Sequence, residues 1–252
     1  MLYIEEGPDD NRFTRNSRKM KVNKTYFTPE DIETESNKRI LEINEDFSTK
    51  IHATDYPCVG AKSAINTNQY RLGIYEKMGS PGSTLALAND LKRYIKETTE
   101  AESQYMTMIA VFTDEVNSEL DFEKRLWLQL QELHDSEKTN QAWDPSVSSK
   151  PEENDFSFSF NGAAFFVVGI HPHASRKARR FGYTAMAFNL HRQFEQLREQ
   201  DLYDKMKQTI RDREISYDGA INPMLSDHGD GLEAPQYSGR KVDENWKCPF
   251  HS

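Results

Sequence analysis

The sequence predicts an α+β (mixed α/β) fold, in which helices flank a central sheet that is mostly antiparallel or mixed, followed by a long C-terminal loop region. Two observations predict this class. Strand-length runs of apolar or alternating residues are interspersed irregularly with segments whose apolar residues recur at helical spacing. Beyond Gly219, turn-forming residues dominate and the periodicity is lost.

The N-terminal half contains three predicted helices. Thr28 precedes a proline and two acidic residues, which is the pattern of a capped helix start. Apolar residues continue at helical spacing over 40–51, so we expect one amphipathic helix that ends at a break near residue 56. The other two helices are predicted around 87–95 and 122–133.

Five strands are predicted. Alternation of Phe and Ser over 156–160 indicates a half-buried strand, and the apolar run 163–170 indicates a fully buried one. A polar insert at 136–154 separates the two halves of the chain, as a lid, a surface loop or a partly disordered segment. The remaining strands are expected at 70–75, 106–112 and 184–188, with helices at 191–198 and 202–213.

Composition favours one soluble cytoplasmic domain over residues 26–252, preceded by a flexible arm at 1–25. The formal net charge of -9 disfavours nucleic acid as a partner. No apolar run approaches the roughly 20 residues that span a bilayer, and the N-terminus lacks a signal-peptide pattern. The two cysteines are too few for a disulfide scaffold, which suits a reducing compartment.

Histidines and arginines follow the apolar runs of the C-terminal half. His171 comes directly after the run 163–170, and Arg176, Arg179 and Arg180 follow it. An imidazole at a strand end can bind a metal or move a proton, and clustered arginines can hold carboxylates or phosphates. The alternative is a solvated basic turn with a structural histidine.

A second histidine, His191, opens the predicted helix at 191–198, and Glu195 lies one turn further on, where it could orient the imidazole. The alternative is a packing histidine. Cys248 lies beside a lysine and could act as a nucleophile or a soft ligand, or could simply anchor the C-terminal tail. Cys58 presents the same choice in a weaker context.

The C-terminal loop region contains hydrogen-bonding side chains in turn-forming sequence. They are suited either to line a pocket or to fasten the loop. The sequence has no GxGxxG, P-loop, GxSxG or HExxH motif. The side chains in question are Asn222, Gln236, Tyr237 and Arg240.

Several of these segments together resemble the YqcI/YcgG family. The resemblance covers about residues 50–252 and rests on separated motifs in a fixed order, with a cysteine element at 56–58 before them. The motifs are HPHASRKARRF, FNLHRQFEQLR, INPML, QYSGR and WKCPF. Several members of that family are haem-dependent oxygenases that hydroxylate a guanidino nitrogen. The resemblance therefore implies haem b as cofactor, dioxygen, an external electron donor and a small guanidino-type substrate.

The resemblance also implies roles for the candidate residues. His171 or His191 would be the axial ligand of the iron, with Cys248 as the second choice. Arg176, Arg179 and Arg180 would pair with the propionates, and Tyr237 would also contact the cofactor. Glu195, Asn222 and Arg240 are the expected catalytic residues, and Gln236 would help to shape the substrate pocket. Glu195, Asp227 and Glu233 are the candidates for holding the guanidinium group.

Two other function classes remain open from the sequence. The chain could bind or sense haem without oxygenase activity, or it could be a haem-free interaction protein. The oligomeric state is open as well, with a homodimer among the options.

Overall fold

The computed structural model describes residues 24–136, 142–226 and 229–252. At its centre lies a six-stranded mixed sheet with strand order β1-β2-β3-β6-β5-β4. β2 and β3 are parallel, and the other neighbouring pairs are antiparallel. The predicted fold class is confirmed. The strands are β1 Tyr26–Phe27, β2 Tyr70–Tyr75, β3 Thr107–Phe112, β4 Phe158–Phe160, β5 Ala163–Ile170 and β6 Thr184–Leu190.

Eight α-helices flank the sheet in the described part of the chain. They are α1 Pro29–Glu33, α2 Lys38–His52, α3 Val59–Asn66, α4 Pro81–Glu100, α5 Glu119–Ser136, α6 His191–Glu199, α7 Tyr203–Asp218 and α8 Ala234–Ser238. The expected arm at 1–25 lies almost wholly outside the described residues, and so does part of the 136–154 insert. Among the described residues, no helix combines the length and apolarity needed to cross a membrane.

The single N-terminal helix expected from the sequence is wrong, because two separate caps divide the segment. Thr28 and Asp31 form a reciprocal capping box at the start of α1, with bonds of 3.2 and 3.0 Å. Asn37 then caps a new helix by accepting a hydrogen bond from the Arg39 N–H at 3.1 Å. The break near residue 56 is real, but a third helix, α3, begins directly after it.

The two faces of the sheet carry two different apolar cores. The first core packs α4, α5 and α8 against one face and includes Leu91, Leu126 and Phe188. The second core packs α2 and α3 against the other face and includes Phe47 and Ile109. Because side chains alternate along a strand, successive residues of each strand face the two cores in turn.

The strand β5 was expected to be fully buried, and this prediction is wrong for one of its faces. Phe165 and Val167 are buried in the first core, whereas Phe166, Val168 and Ile170 are only partly buried. These three residues line a cavity on the second face, although Ile170 also packs against the second core. The cavity therefore accounts for the incomplete burial of these side chains.

Candidate functional site

A cavity of about 320 Å³ lies on the second face of the sheet, between the strands and helices α2, α3, α6 and α7. Its volume falls within the range of small-molecule sites, which begins at about 300 Å³. The strands supply an apolar floor from Ile109, Phe166, Val168, Ile170 and Ala187. Polar side chains reach the cavity from the loops and helix ends at its edge.

The cavity brings together six of the polar residues singled out in the sequence. They come from segments far apart in the chain, which the sheet order β3-β6-β5 places side by side. The six are Arg176, Arg179, His191, Asn222, Glu233 and Gln236. His171, Arg180, Glu195, Tyr237, Arg240 and Cys248 do not line it.

His191 is the first residue of α6 and lies at the end of β6, as the sequence predicted. Its side chain is only 7% exposed. The Nδ1 atom is 3.8 Å from the carboxylate of Glu195, which is longer than a hydrogen bond. Glu195 itself is half-exposed and forms an ion pair with Arg198. It can therefore influence His191 by charge, but it does not contact the cavity.

Arg179 and Arg176 place two guanidinium groups in the cavity wall. Arg179 donates a hydrogen bond from Nη1 to the Tyr237 carbonyl at 3.0 Å. Burial lowers the pKa of Arg179 to about 10, so the group stays charged at neutral pH. Arg176 Nη2 lies 3.4 Å from Glu214 and 3.6 Å from Asp218, without hydrogen-bond geometry. Arg179, whose hydrogen bond goes to a neutral carbonyl, can take an anionic partner, whereas Arg176 already faces two carboxylates.

The turn 171–181 explains how these arginines reach the second face. The His171 N–H donates to the Arg179 carbonyl at 3.0 Å, and the Phe181 N–H donates to the His171 carbonyl at 3.3 Å. The turn thus folds back on itself at the end of β5. Arg180 stays on this exposed turn, where it donates to the carbonyls of Ala174 and Ser175.

Cys58 also lines the cavity, although its sequence context indicated a functional role only weakly. It is the N-cap of α3, and its Sγ accepts a hydrogen bond from the Ala61 N–H at 3.4 Å. Burial raises the pKa of the thiol, whereas the backbone N–H groups of Ala61 and Gly60 and the charge of Arg179 act in the opposite direction. The signal that could have revealed it is the cysteine directly before a helical segment.

His171 lies on the opposite face of the sheet from His191. It is fully buried, with its ring stacked on Phe122 at a centroid distance of 4.1 Å. Both ring nitrogens lack a hydrogen-bond partner among the described residues. Burial lowers the pKa of His171 to about 4, so it is neutral at neutral pH. With the sheet between them, the two histidines cannot bind one common group in this arrangement.

Tyr237, Arg240 and Cys248 belong to the packing of the C-terminal segment against the first core. The Tyr237 hydroxyl accepts from the Phe158 N–H at 2.9 Å and lies 2.6 Å from Glu233. Arg240 pairs with the buried carboxylate of Glu123 through two bonds of 2.8 Å. Cys248 packs against the same core, and burial raises its pKa to about 12.

Gln236 and Glu233, two of the candidates for the substrate pocket, are buried, and hydrogen bonds fix the orientation of the Gln236 amide. Gln236 is 2% exposed, and its Nε2 donates to the Ser226 Oγ at 3.0 Å and also contacts two carbonyls. This fixes the orientation of the amide and leaves Oε1 buried without a partner among the described residues. Glu233, one turn earlier, is also 2% exposed. Asp227 lies outside the described residues.

Within the described ranges, no cluster of three or more His, Cys, Asp or Glu side chains is arranged to hold a metal ion by itself. The cavity nevertheless offers two single donors, the His191 imidazole and the Cys58 thiol. A single axial ligand, such as one histidine or one cysteine, is sufficient for a protein to bind haem iron on one side.

Comparison with known proteins supports the relationship that the motifs suggested. The sequence profile of the YqcI/YcgG family matches residues 47–251. The chain belongs to the YqcI/YcgG family. Every cavity-lining residue, from Phe47 to Gln236, falls within the matched region of this YqcI/YcgG protein.

A curated relative is the uncharacterized protein YqcI of Bacillus subtilis (strain 168). It is 29% identical to this YqcI/YcgG protein over 207 residues, which cover 77% of this chain and 80% of the relative. No solved structure matches the chain.

Proposed function

We propose that this YqcI/YcgG protein is a cytoplasmic haem-dependent oxygenase that acts on a small guanidino-type substrate, and that haem b binds in the cavity on the second face of the sheet. The observation that carries the proposal is the convergence of His191, Cys58, Arg176 and Arg179 on one apolar cavity. The haem would supply the activation of dioxygen, with electrons from an external donor.

The residues of the cavity fit such a group. The apolar floor suits the body of a porphyrin, and buried arginines are the usual partners of carboxylates. Arg179 is especially suitable because it is desolvated and its hydrogen bond to the protein goes to a neutral carbonyl. We therefore propose Arg179 and Arg176 as the partners of the propionates, and we leave Arg180 out because it lies on the exposed turn.

The proposed iron ligand is His191 or Cys58, because these side chains line the cavity. His171 and Cys248 lie on the other side of the sheet and are not retained. Iron binding by Cys58 would require loss of the thiol proton, and the N-terminus of α3 favours the resulting thiolate.

Gln236 and Glu233 offer hydrogen-bond acceptors, in contrast to the arginine donors in the same cavity, and acceptors suit a guanidino substrate. A guanidinium group carries five N–H donors and a positive charge, and it needs acceptors where it is buried. The Oε1 atom of Gln236, which lacks a hydrogen-bond partner among the described residues, supplies one acceptor, and the buried carboxylate of Glu233, which also accepts from Ser157, lies in the same wall. We propose that these two residues bind the guanidino end, with Asn222 in the adjoining wall. Glu195 is not retained because it lies outside the cavity.

The proposal is tested by the absorption spectrum of the purified protein after incubation with haem. We expect a Soret band that is altered or lost in His191→Ala or in Cys58→Ala. The matched controls His171→Leu and Cys248→Ser should leave the band unchanged. A ferrous carbon monoxide complex with a strongly red-shifted band would identify Cys58 as the ligand.

Three results would contradict parts of the proposal. Protein that remains colourless with haem excludes the cofactor, and the cavity then serves another ligand. A normal Soret band in both cavity variants excludes the proposed ligands. A haem-loaded protein that, given dioxygen and reductant, leaves arginine and simple guanidines unchanged would be a haem-binding protein without this activity.

A further inference from the structure

Helix α7 forms one wall of the cavity, and none of its 16 residues is buried as a whole, although the Asp218 side chain at its C-terminal end is. The residues of α7 that face the cavity recur at three- and four-residue spacing. They are Tyr203, Met206, Lys207, Ile210 and Glu214. A surface helix of a globular protein usually buries such a stripe against packed side chains. Here the stripe borders open volume, and apolar packing of α7 against the second core involves Tyr217, near the C-terminal end of the helix, whose ring lies 6.1 Å from that of Tyr56.

Both ends of α7 adjoin residues in the left-handed region of the backbone. Asp201, between α6 and α7, has φ 56°, and Gly219, directly after α7, has φ 86°. The chain therefore changes direction sharply at each end of the helix. Short turns at the ends of an element are where rigid helices pivot.

The C-terminal end of α7 is held by a polar contact with the arginine-bearing turn. The Asp218 carboxylate, 4% exposed, accepts hydrogen bonds from the Lys177 N–H at 2.5 Å and the Ala178 N–H at 3.3 Å. Arg176 lies 3.6 Å from the same carboxylate. The Lys177 Nζ also donates to the Tyr217 carbonyl at 3.2 Å. These contacts gather at one end of the helix.

We propose that α7 is a gate over the cavity and that Asp218 is its latch. Opening would detach the end of α7 from residues 176–178 while the sheet and both cores stay folded. Ligand would then enter and leave on the side of α7. The inference rests on the proposed function only in that the cavity takes a ligand, and it does not depend on the identity of that ligand.

The experiment measures hydrogen exchange of the haem-free full chain in three variants. Asp218→Ala removes the latch, and Asp218→Asn removes its charge while keeping one oxygen that can accept from Lys177. Asp212→Ala is the control, because Asp212 lies on the same helix, is exposed and bonds to Gln208 within the helix. We expect protection of the α7 amides to fall by about 10- to 100-fold in Asp218→Ala. The decrease should be smaller in Asp218→Asn and absent in Asp212→Ala.

Access to the cavity provides a second readout. In a Cys248→Ser background, Cys58 is the remaining thiol. A bulky maleimide should modify it faster in Asp218→Ala, by a factor similar to the loss of α7 protection. Asp212→Ala should leave the rate unchanged.

Several outcomes would overturn the gate. Equal exchange in the Asp218 and Asp212 variants would show that Asp218 does not hold the helix. Loss of protection in β3 and β6 together with α7 would show that Asp218 supports the whole fold. Faster α7 exchange with unchanged Cys58 modification would show that α7 does not control access. Failure of the oxygenase proposal would instead appear in the haem spectrum or as unchanged substrate, and it would leave these measurements unaffected.

Discussion

His171 should make the protein less stable as the pH falls from 7 to 5. Its ring is buried against Phe122, and burial lowers its pKa from 6.5 to about 4, with the charges of His173 and Arg179 acting in the same direction. The unfolded chain therefore binds a proton at a higher pH than the folded protein does. The stabilising contribution is complete above pH 6.5 and is lost as the pH falls toward 4.

The magnitude follows from the two pKa values. The gap between 6.5 and about 4 corresponds to about 3 kcal/mol, of which about 2 kcal/mol is lost between pH 7 and pH 5. The measurement is urea unfolding at a series of pH values, for the wild type and for His171→Leu. Carboxylates titrate in both proteins, so the difference between the two pH dependences isolates His171.

The reasoning requires the wild type to lose about 2 kcal/mol more than His171→Leu between pH 7 and pH 5. Parallel stability curves would refute it. A titration of His171 near pH 6.5, followed by its ring proton resonances in the folded protein, would refute it as well. Either result would mean that the ring has polar partners in solution.

Two further predictions concern the C-terminal segment. Arg240→Ala should lower the free energy of unfolding by about 2 kcal/mol, because it leaves the buried carboxylate of Glu123 without its cation. The control Lys241→Ala, at an exposed position, should be near neutral in the same urea titration. Gly239→Ala should destabilise by more than about 1 kcal/mol, since Gly239 has φ 79° and an added Cβ would lie 2.6 Å from the Arg179 side chain. It should also weaken haem binding in a titration, while the control Gly229→Ala, at φ 88° with open space around it, should show the backbone effect alone.

Much of the fold was predictable because strand and helix periodicities are local. The strands at 70–75 and 163–170 match their predicted limits, and the antiparallel or mixed character of the sheet is confirmed. Local patterns do not, however, reveal where two caps divide one apolar stripe, as at Asn37. They also miss α3, a helix of eight residues whose N-cap is a cysteine rather than a hydroxyl or an acid.

The placement of the two histidines could not be predicted, because it depends on strand register. Even-numbered residues of β5 pair with odd-numbered residues of β6, as in Phe166 with Asn189 and Val168 with Ala187. Directly paired residues share a face, so odd-numbered His171 and odd-numbered His191 lie on opposite faces. A register shifted by one residue would have placed them on the same face. Nothing in the 13-residue connection between the strands fixes that register from sequence alone.

The polar wall of the cavity depends on contacts among three segments that are remote in sequence. The turn after β5 binds the segment just before α3 through the Tyr56 hydroxyl, which donates to the Ala178 carbonyl at 3.3 Å. It binds the C-terminal segment through Arg179 and the Tyr237 carbonyl. The positions of Cys58, Arg179 and Gln236 are therefore coupled through this turn. Tyr56→Phe tests this coupling, because it removes the hydrogen bond to Ala178 and keeps the aromatic ring that packs in the second core. A shift in the haem spectrum or in haem affinity at unchanged stability would support the coupling, and an unaltered spectrum would exclude it.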